Sequence, residues 1–234
     1  MRQLFDWSQS MPKPHDILIV SAHWESAPPT LSAPDAHTPL VYDFGGFHPR
    51  YYTMRYPTPA AHALARRVSA TLPVHQHPTR GLDHGAWVPL MAMYPLADVP
   101  VLQLSMPTQD PAGLMAIGAR LRELRASGTL VIGSGFMVHG LPFLTREMVL
   151  HGAVPSWSSE FDAWAAEALG RGDVDELAAY RDRAPGMPYA HPTPDHFTPL
   201  FVTLGAADRP DAAVRTAIDG YMIGFSKRSF QTVP

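Results

Sequence analysis

The feature that most restricts the fold is a set of short apolar segments that alternate with longer stretches of helical character. The apolar segments are DILIVSA (16–22), VPVLQL (99–104) and TLVI (129–132). Each has the length of a buried strand and stops at polar or glycine-rich residues. Amphipathic or alanine-rich helices are predicted at residues 60–71, 111–126 and 157–169. Strands that alternate with helices in this way predict a layered α/β fold in one domain.

The remaining segments give weaker signals. They predict a short helix at 2–10, an apolar helix at 85–94, a short helix at 174–180, a helix that starts at 196, an edge strand at 40–42 and closing strands at 213–218 and 226–232.

The composition excludes several classes of protein. The chain of 234 residues has no cysteine, so disulfides are excluded and any metal must be held by His, Asp or Glu. The net charge is only −3 and the 18 basic residues are dispersed, which argues against a nucleic-acid or polybasic membrane surface. No apolar run approaches the roughly 18 residues of a membrane span. Because residues 1–10 also lack the apolar core of a signal peptide, we predict a cytoplasmic protein.

Four of the 12 histidines lie where an α/β protein places its ligand crevice. His23 follows the first apolar segment, and His139 follows the third. His84 stands at a glycine turn before a predicted helix, and His196 ends the proline-braced HPTPDH (191–196). Because the carboxyl ends of parallel strands meet at one edge of the sheet, His23 and His139 are expected to face the same crevice.

Each of these histidines has a plain structural alternative as a hydrogen-bonded core residue. For any single strand-end histidine that alternative is favoured by about two to one. His48 is left open, and no histidine pair has the i, i+4 spacing of an HExxH site. Six others are predicted to be ordinary surface residues: His15, His37, His62, His75, His77 and His151. The residues alone therefore predict an α/β protein and leave a histidine-based metal site as one of two alternatives.

Several short motifs occur in a characteristic order. They are SAHWE (21–25), DFGGF (43–47), GLDHGAWVPL (81–90), MYPLADVPVLQLS (93–105), GSG (133–135), VHG (138–140) and HPTPDHFTPL (191–200). In this order they resemble the class III extradiol ring-cleavage dioxygenases, and within them the LigB-type or DOPA 4,5-dioxygenase-like branch. The resemblance implies a three-layer α/β/α domain over residues 1–234 with a mostly parallel or mixed central sheet.

The resemblance also implies roles for the four histidines. His23 and His196 match metal ligands, and His139 matches an acid/base beside the metal that some descriptions count as a ligand. His84 matches a second active-site histidine that positions the substrate or oxygen. The residues expected to contact the substrate are Tyr42, Phe44 and Ser134. The implied cofactor is Fe(II), with Zn(II) an alternative in purified protein, and the implied substrates are a small catechol and O₂.

One part of the family pattern does not occur in these 234 residues. Members begin with a strand that ends in a Gly-His-Gly-Ser-Pro turn, and that histidine is the remaining metal ligand. We expect a domain without its first strand, and three explanations stay open. The natural chain is longer, or another residue replaces the ligand, with His48 as the candidate, or catalysis has been lost. An incomplete sheet edge would also favour a homodimer.

Three functions follow from this comparison. The favoured one is extradiol cleavage of a small, DOPA-like or simpler catechol. The second is a metal- or ligand-binding protein of the same fold without turnover, like the Memo proteins of this superfamily. The third is a zinc-dependent hydrolase, because histidine ligands suit Zn²⁺.

Overall fold

A five-stranded mixed sheet forms the centre of the computed structural model, which describes residues 1–233. Its strands are β1 (Asp16–Glu25), β2 (Thr30–Leu31), β3 (His75–Gln76), β4 (Val101–Met106) and β5 (Thr129–Ser134). They lie in the order β3-β2-β4-β1-β5. The central β1 is parallel to both β4 and β5, whereas β2 is antiparallel to β4. The three long parallel strands therefore end at the same edge of the sheet.

Helices cover both faces of this sheet. They are α1 (Arg2–Gln9), α2 (His62–Thr71), α3 (His84–Met93), α4 (Pro111–Ala126), α5 (Arg146–His151), α6 (Ser156–Arg171), α7 (Val174–Ala178), α8 (Tyr180–Arg183) and α9 (Pro199–Gly205). Short 3₁₀ helices occur at Pro49–Thr53 and Leu141–Phe143. Within residues 1–233, no helix combines the length and apolar character needed to cross a bilayer.

The alternation of side chains along β1 explains the layers. Ile17 and Ile19 pack in an apolar cluster with Trp87 of α3. Leu18 and Val20 point to the other face and belong to the larger cluster beneath α2, α4, α6 and α9. Both faces of a parallel strand are thus buried, which is why the segment reads as a continuous apolar run. The predicted α/β fold with helices on both faces of a mixed sheet is confirmed.

Local interactions at the two ends of α4 determine where the helix begins and ends. Asp110 caps the helix by accepting a hydrogen bond from the Gly113 N–H at 2.7 Å, and Pro111 occupies the first turn, where its missing N–H costs nothing. After Ser127 the chain reverses at Gly128, whose φ of +82° favours glycine. The helix accordingly spans the predicted residues 111–126.

A proline inside α3 creates a link between this helix and the sheet. Pro89 has no N–H, so the carbonyl of Gly85, one turn earlier, has no helical donor. The hydroxyl of Ser134, the last residue of β5, donates to that carbonyl at 2.5 Å. The amino-terminal turn of α3 is thereby fixed to the carboxyl end of β5.

Some segments differ from the prediction. Residues 40–42 are extended but do not form a strand, because Val41 makes a single backbone–backbone bond, from its N–H to the Leu82 carbonyl at 2.8 Å. The helix expected from residue 196 begins at Pro199, since residues 195–198 form turns. The segment at 174–180 is divided at Ala179 between α7 and α8.

The predicted closing strands lie outside the central sheet. They correspond to β6 (Arg215–Ile218) and β9 (Ser229–Gln231), which form a small antiparallel pair. Between them lies a second antiparallel pair that was not predicted, β7 (Tyr221–Met222) with β8 (Phe225–Ser226). Asp162 of α6 holds this region, because Arg228 donates to both of its carboxylate oxygens at 2.8 Å. The ion pair keeps Phe225 in place, with its ring centre 6.5 Å from that of His139.

Candidate active site

Four imidazoles lie in a row at the carboxyl edge of the central sheet. In order, they belong to His84, His23, His196 and His139. Their ring centres are 3.9 Å apart for the first pair, 5.0 Å for the second and 3.4 Å for the third. His23 and His139, which were expected to face the same crevice, therefore do so, with His196 between them and His84 at the end beyond His23. We call this set the histidine row.

The strands and helix ends determine these positions. His23 lies on β1 just beyond Ser21, where the pairing of β1 with β5 ends. His84 is the first residue of α3, and Gly85 brings that helix end against β1. A Cβ atom at Gly85 would lie only 2.3 Å from Oγ of Ser21 and 2.9 Å from the ring of His23. Only glycine permits this approach, so it brings the imidazoles of His23 and His84 together.

Two loops supply the other half of the histidine row. The Phe136 N–H donates to the carbonyl of His196, and the His139 N–H donates to the carbonyl of Ala190, both at 2.9 Å. At Gly135 a Cβ atom would lie 2.1 Å from the His196 carbonyl oxygen. The loop after β5 and the loop before α9 are thus joined by backbone contacts, which fixes His139 against His196.

Two members of the row contact a carboxylate, the terminal His84 and the inner His196. Asp43 contacts His84, with 2.7 Å between Oδ1 and the ring Nδ1, and Asp195 contacts Nδ1 of His196 at 2.5 Å. Burial acts to raise the pKa of Asp195, but the hydrogen bonds from His196 and Thr193 hold that pKa well below its usual range. Asp195 is therefore ionised and keeps the proton of His196 on Nδ1.

The electrostatics favour neutral imidazoles at His23 and His139. Burial lowers the pKa of His23, and the neighbouring His84 and His196 lower it further. Burial, followed by the charge of His196, lowers the pKa of His139 to about 3. This value lies well below 7, so at neutral pH His139 is a neutral imidazole. Neutral imidazole is also the form that binds metals.

The spacing of the rings tests whether they fit one metal ion. With metal–nitrogen bonds of about 2.0–2.1 Å, two imidazoles on one ion have their centres about 5 Å apart. The rings of His23 and His196 are 5.0 Å apart and nearly perpendicular, at 87°. His139 is parallel to His196 at 3.4 Å, too close for two ligands that point at the same ion from different directions. The residues therefore fit a metal between His23 and His196, with His139 beside it.

Asp43 and His84 extend the set of possible donors. Among residues 1–233, the one group of three potential ligands whose donor atoms all lie within 4.8 Å of one another is His23, Asp43 and His84. Imidazole with carboxylate suits Fe(II), Zn(II) and related ions. Asp43 was not among the site residues predicted from the sequence. Its place in DFGGF reads as a turn, and its partner lies 41 residues further along the chain.

Aromatic side chains flank the His84 end of the row. The ring of Phe44 lies 5.3 Å from that of His84 and 5.0 Å from that of Tyr52. Tyr42 lies further back, where its ring packs on Trp87 and its hydroxyl donates to the Met54 carbonyl at 2.6 Å. Phe44 thus lies against the site, whereas Tyr42 supports it from behind.

Two other candidate residues make local contacts. Ser134 lies next to α3, but its hydroxyl proton is engaged by the Gly85 carbonyl. His48 is exposed and precedes the 3₁₀ helix, where its Nδ1 accepts a hydrogen bond from the Arg50 N–H at 3.3 Å. His48 is not a member of the three-ligand group described above.

One histidine behind the row had no assigned role. His191 is 3% exposed, packs between Phe161 and Phe197, and makes a 2.9 Å contact from Nε2 to the Met137 carbonyl. Burial lowers its pKa to about 4. Its surroundings make it a core histidine that supports the loop carrying His139.

Comparison with known proteins adds independent information. The family model described as the catalytic LigB subunit of aromatic ring-opening dioxygenase matches residues 1–224. A 4,5-DOPA dioxygenase extradiol of Beta vulgaris is 39% identical over 227 residues, covering 93% of this chain and 83% of that protein. A protein of the same name from Escherichia coli is 34% identical over 225 residues, covering 92% and 80%.

A solved structure agrees with these sequence relatives. The crystal structure of an uncharacterized protein from Escherichia coli K12 has a TM-score of 0.81 and 30% identity, and the alignment covers 99% of this chain and 91% of that one. Both sequence relatives are named as extradiol dioxygenases. The histidine row and the match over residues 1–224 together place this chain in the LigB family of aromatic ring-opening dioxygenases.

Proposed function

We propose that the protein cleaves a small catechol at the ring bond beside the diol, using Fe(II) and O₂. The observation that carries this proposal is the pair His23 and His196, whose ring centres have the separation of two ligands on one ion. The names of the relatives supply the reaction type, since 4,5-DOPA dioxygenase is extradiol by name. Residues 1–234 act as a single catalytic domain in this proposal.

His23 and His196 hold the metal. The two outer members of the row, His84 and His139, act on the substrate. When bound, Fe(II) brings a catechol and O₂ together and stabilises negative charge on the diol oxygens. His139, neutral and stacked on His196, takes a proton from a diol hydroxyl and returns it during ring opening. A histidine that serves as both base and acid leaves the enzyme's proton balance unchanged.

His84 and Phe44 position the aromatic ring. A proton on Nδ1 of His84, facing Asp43, leaves Nε2 free to accept a hydrogen bond from a substrate hydroxyl or to contact oxygen. Phe44 packs edge-on to His84 and offers an apolar face to the ring, with Tyr42 behind it. Ser134 acts indirectly in this scheme, because its bond to Gly85 fixes the helix end that carries His84.

The atoms of the reaction balance without a further reductant. One carbon–carbon bond beside the diol breaks, and both atoms of O₂ enter the product, which is a semialdehyde acid. The four electrons that reduce O₂ come from the catechol itself. No other co-substrate is needed, which agrees with a site built from histidines, carboxylates and aromatic rings.

The test uses the purified chain without oxygen. Fe(II) is added, the bound iron is quantified, and DOPA or simpler catechols are then mixed with O₂ while a ring-opened yellow product is followed by absorbance. We expect stoichiometric iron and a product that requires both iron and O₂. Iron binding without product would favour a binding protein without turnover. Hydrolytic activity with Zn(II) in the absence of oxygen would favour the zinc hydrolase.

The cytoplasmic location and the homodimer remain predictions from the sequence. Cell fractionation tests the first, and light scattering of the purified chain tests the second.

A further inference from the structure

Asp43 makes contacts with two members of the histidine row. Its Oδ1 lies 2.7 Å from Nδ1 of His84 and 3.2 Å from the backbone N–H of the same residue. Its Oδ2 lies 3.5 Å from Nδ1 of His23. One carboxylate thus faces the Nδ1 side of two different imidazoles.

The chemistry of these contacts fixes the position of a proton. An ionised carboxylate can only accept hydrogen bonds, so the ring nitrogen of His84 that faces Asp43 must carry hydrogen. Its Nε2 then presents a lone pair on the opposite side. The shared carboxylate favours the same arrangement in His23, which leaves Nε2 of that ring free for a metal.

We propose that Asp43 is a positioning residue that sets the orientation and tautomer of His23 and His84 together. With the roles given to these histidines under the proposed function, on which this inference rests, Asp43 couples metal binding to substrate positioning. Asp195 also contacts the row, but it contacts only one imidazole, at Nδ1 of His196. Asp43 differs because it serves two.

Asp43 also connects the histidine row to the aromatic side chains that flank His84. Phe44 follows Asp43 directly and packs on His84, with 5.3 Å between ring centres. The segment is held two residues earlier by the bond from Val41 to Leu82. A displacement of Phe44 by a bound ring would therefore be transmitted through Asp43 to both imidazoles.

The experiment compares Asp43→Ala and Asp43→Asn with a matched control, Asp35→Ala. Asp35 also contacts a histidine, His62, at 3.3 Å, but both side chains are more than half exposed. Histidine tautomers are measured by long-range ¹H–¹⁵N NMR on the metal-free proteins, with His84→Gln to assign the signal. Zn(II) affinity is measured by calorimetry, and the Co(II) absorption spectrum is recorded at saturation.

We expect His84 to be protonated on Nδ1 in the unsubstituted protein and in Asp35→Ala. Asp43→Ala should lose this preference and bind Zn(II) about 10–100-fold more weakly, as is usual for a residue that orients a metal ligand. Asp43→Asn keeps the shape but has only one acceptor oxygen. It should therefore retain the tautomer of His84 and still bind Zn(II) more weakly, because it cannot serve both rings.

Two results would overturn the proposal. One is a Zn(II) affinity and a His84 tautomer in both Asp43 variants that match those of Asp35→Ala. The other is a changed Co(II) spectrum at saturation in Asp43→Asn, which would make Asp43 a metal ligand itself. Neither readout requires turnover. If the unsubstituted protein shows the expected tautomer and metal binding but cleaves no catechol, the proposed function fails while the role of Asp43 in orienting both rings stands.

Discussion

The imidazoles of His139 and His196 lie face to face, with their ring centres 3.4 Å apart and their planes within 10° of parallel. Stacking holds His139 beside a proposed ligand without directing it at the same ion. This arrangement separates two functions in neighbouring residues, metal binding at His196 and proton transfer at His139, and mutation can distinguish them.

Replacing His139 by Ala should lower kcat by about 10²–10⁴-fold, because a general acid/base is lost. The protein should keep most of its bound iron. Turnover of DOPA and iron content, measured on the same preparation, check this. Loss of iron together with activity would move His139 into the ligand set.

Replacing His23 or His196 by Ala should remove both iron and activity, since each contributes one bond to the ion. We expect metal affinity to fall by at least about 100-fold, more than for a residue that only orients a ligand. His62→Ala, at an exposed position, serves as the control. A His23→Ala protein that still binds stoichiometric iron would refute the assignment of the metal site.

Replacing Ser134 by Ala should lower the free energy of unfolding by about 1–3 kcal/mol, because the Gly85 carbonyl loses its donor. The second substitution Pro89→Ala restores an N–H at the helical position and should recover part of the loss. Urea unfolding of the single and double variants measures this, with Ser10→Ala as an exposed control. Equal losses in the single and double variants would contradict the link between Pro89 and Ser134.

Acid should destabilise the protein through His191. Its pKa falls from 6.5 to about 4 because of burial, so the unfolded chain binds the proton more readily. The stabilisation is complete above pH 6.5 and is lost as the pH falls towards 4, by up to about 3 kcal/mol. In His191→Phe the difference in unfolding free energy between pH 7.5 and pH 4.5 should shrink by about 2 kcal/mol. If this difference in unfolding free energy is the same in His191→Phe as in the unsubstituted protein, groups other than His191 cause the acid sensitivity.

Replacing Arg228 by Met should destabilise the protein by about 3 kcal/mol, because it leaves the carboxylate of Asp162, only 7% exposed, without its partner. Arg171→Met is the matched control, since its ion pair with Glu167 is exposed. The measurement is again urea unfolding. Similar losses in the two variants would show that the Asp162 pair contributes no more than a surface contact.

Local signals predicted much of the fold. The start of α4 follows from Asp110 and Pro111, and its end from Gly128, so its bounds could be predicted to the residue. The prediction of an edge strand at 40–42 was wrong, because the apolar pattern of a segment does not reveal whether a partner strand is available. Only one backbone bond, from Val41 to Leu82, forms there.

The histidine row was predicted in part, for a physical reason. The ends of parallel strands converge, so His23 and His139 could be expected to meet. Asp43 could not be found in this way, because its contact with His84 depends on the path of a loop. Ser134 was predicted as a substrate contact, but its bond to the Gly85 carbonyl was not, because that bond follows from a proline in a different element.

The bond between Ser134 and the Gly85 carbonyl also has an evolutionary consequence. A proline at position 89 of α3 is acceptable because a hydroxyl on β5 donates a hydrogen bond to the carbonyl that the proline leaves free. Positions 89 and 134 should therefore be inherited as a pair. In homologues where residue 89 is not proline, selection for serine or threonine at 134 should be relaxed.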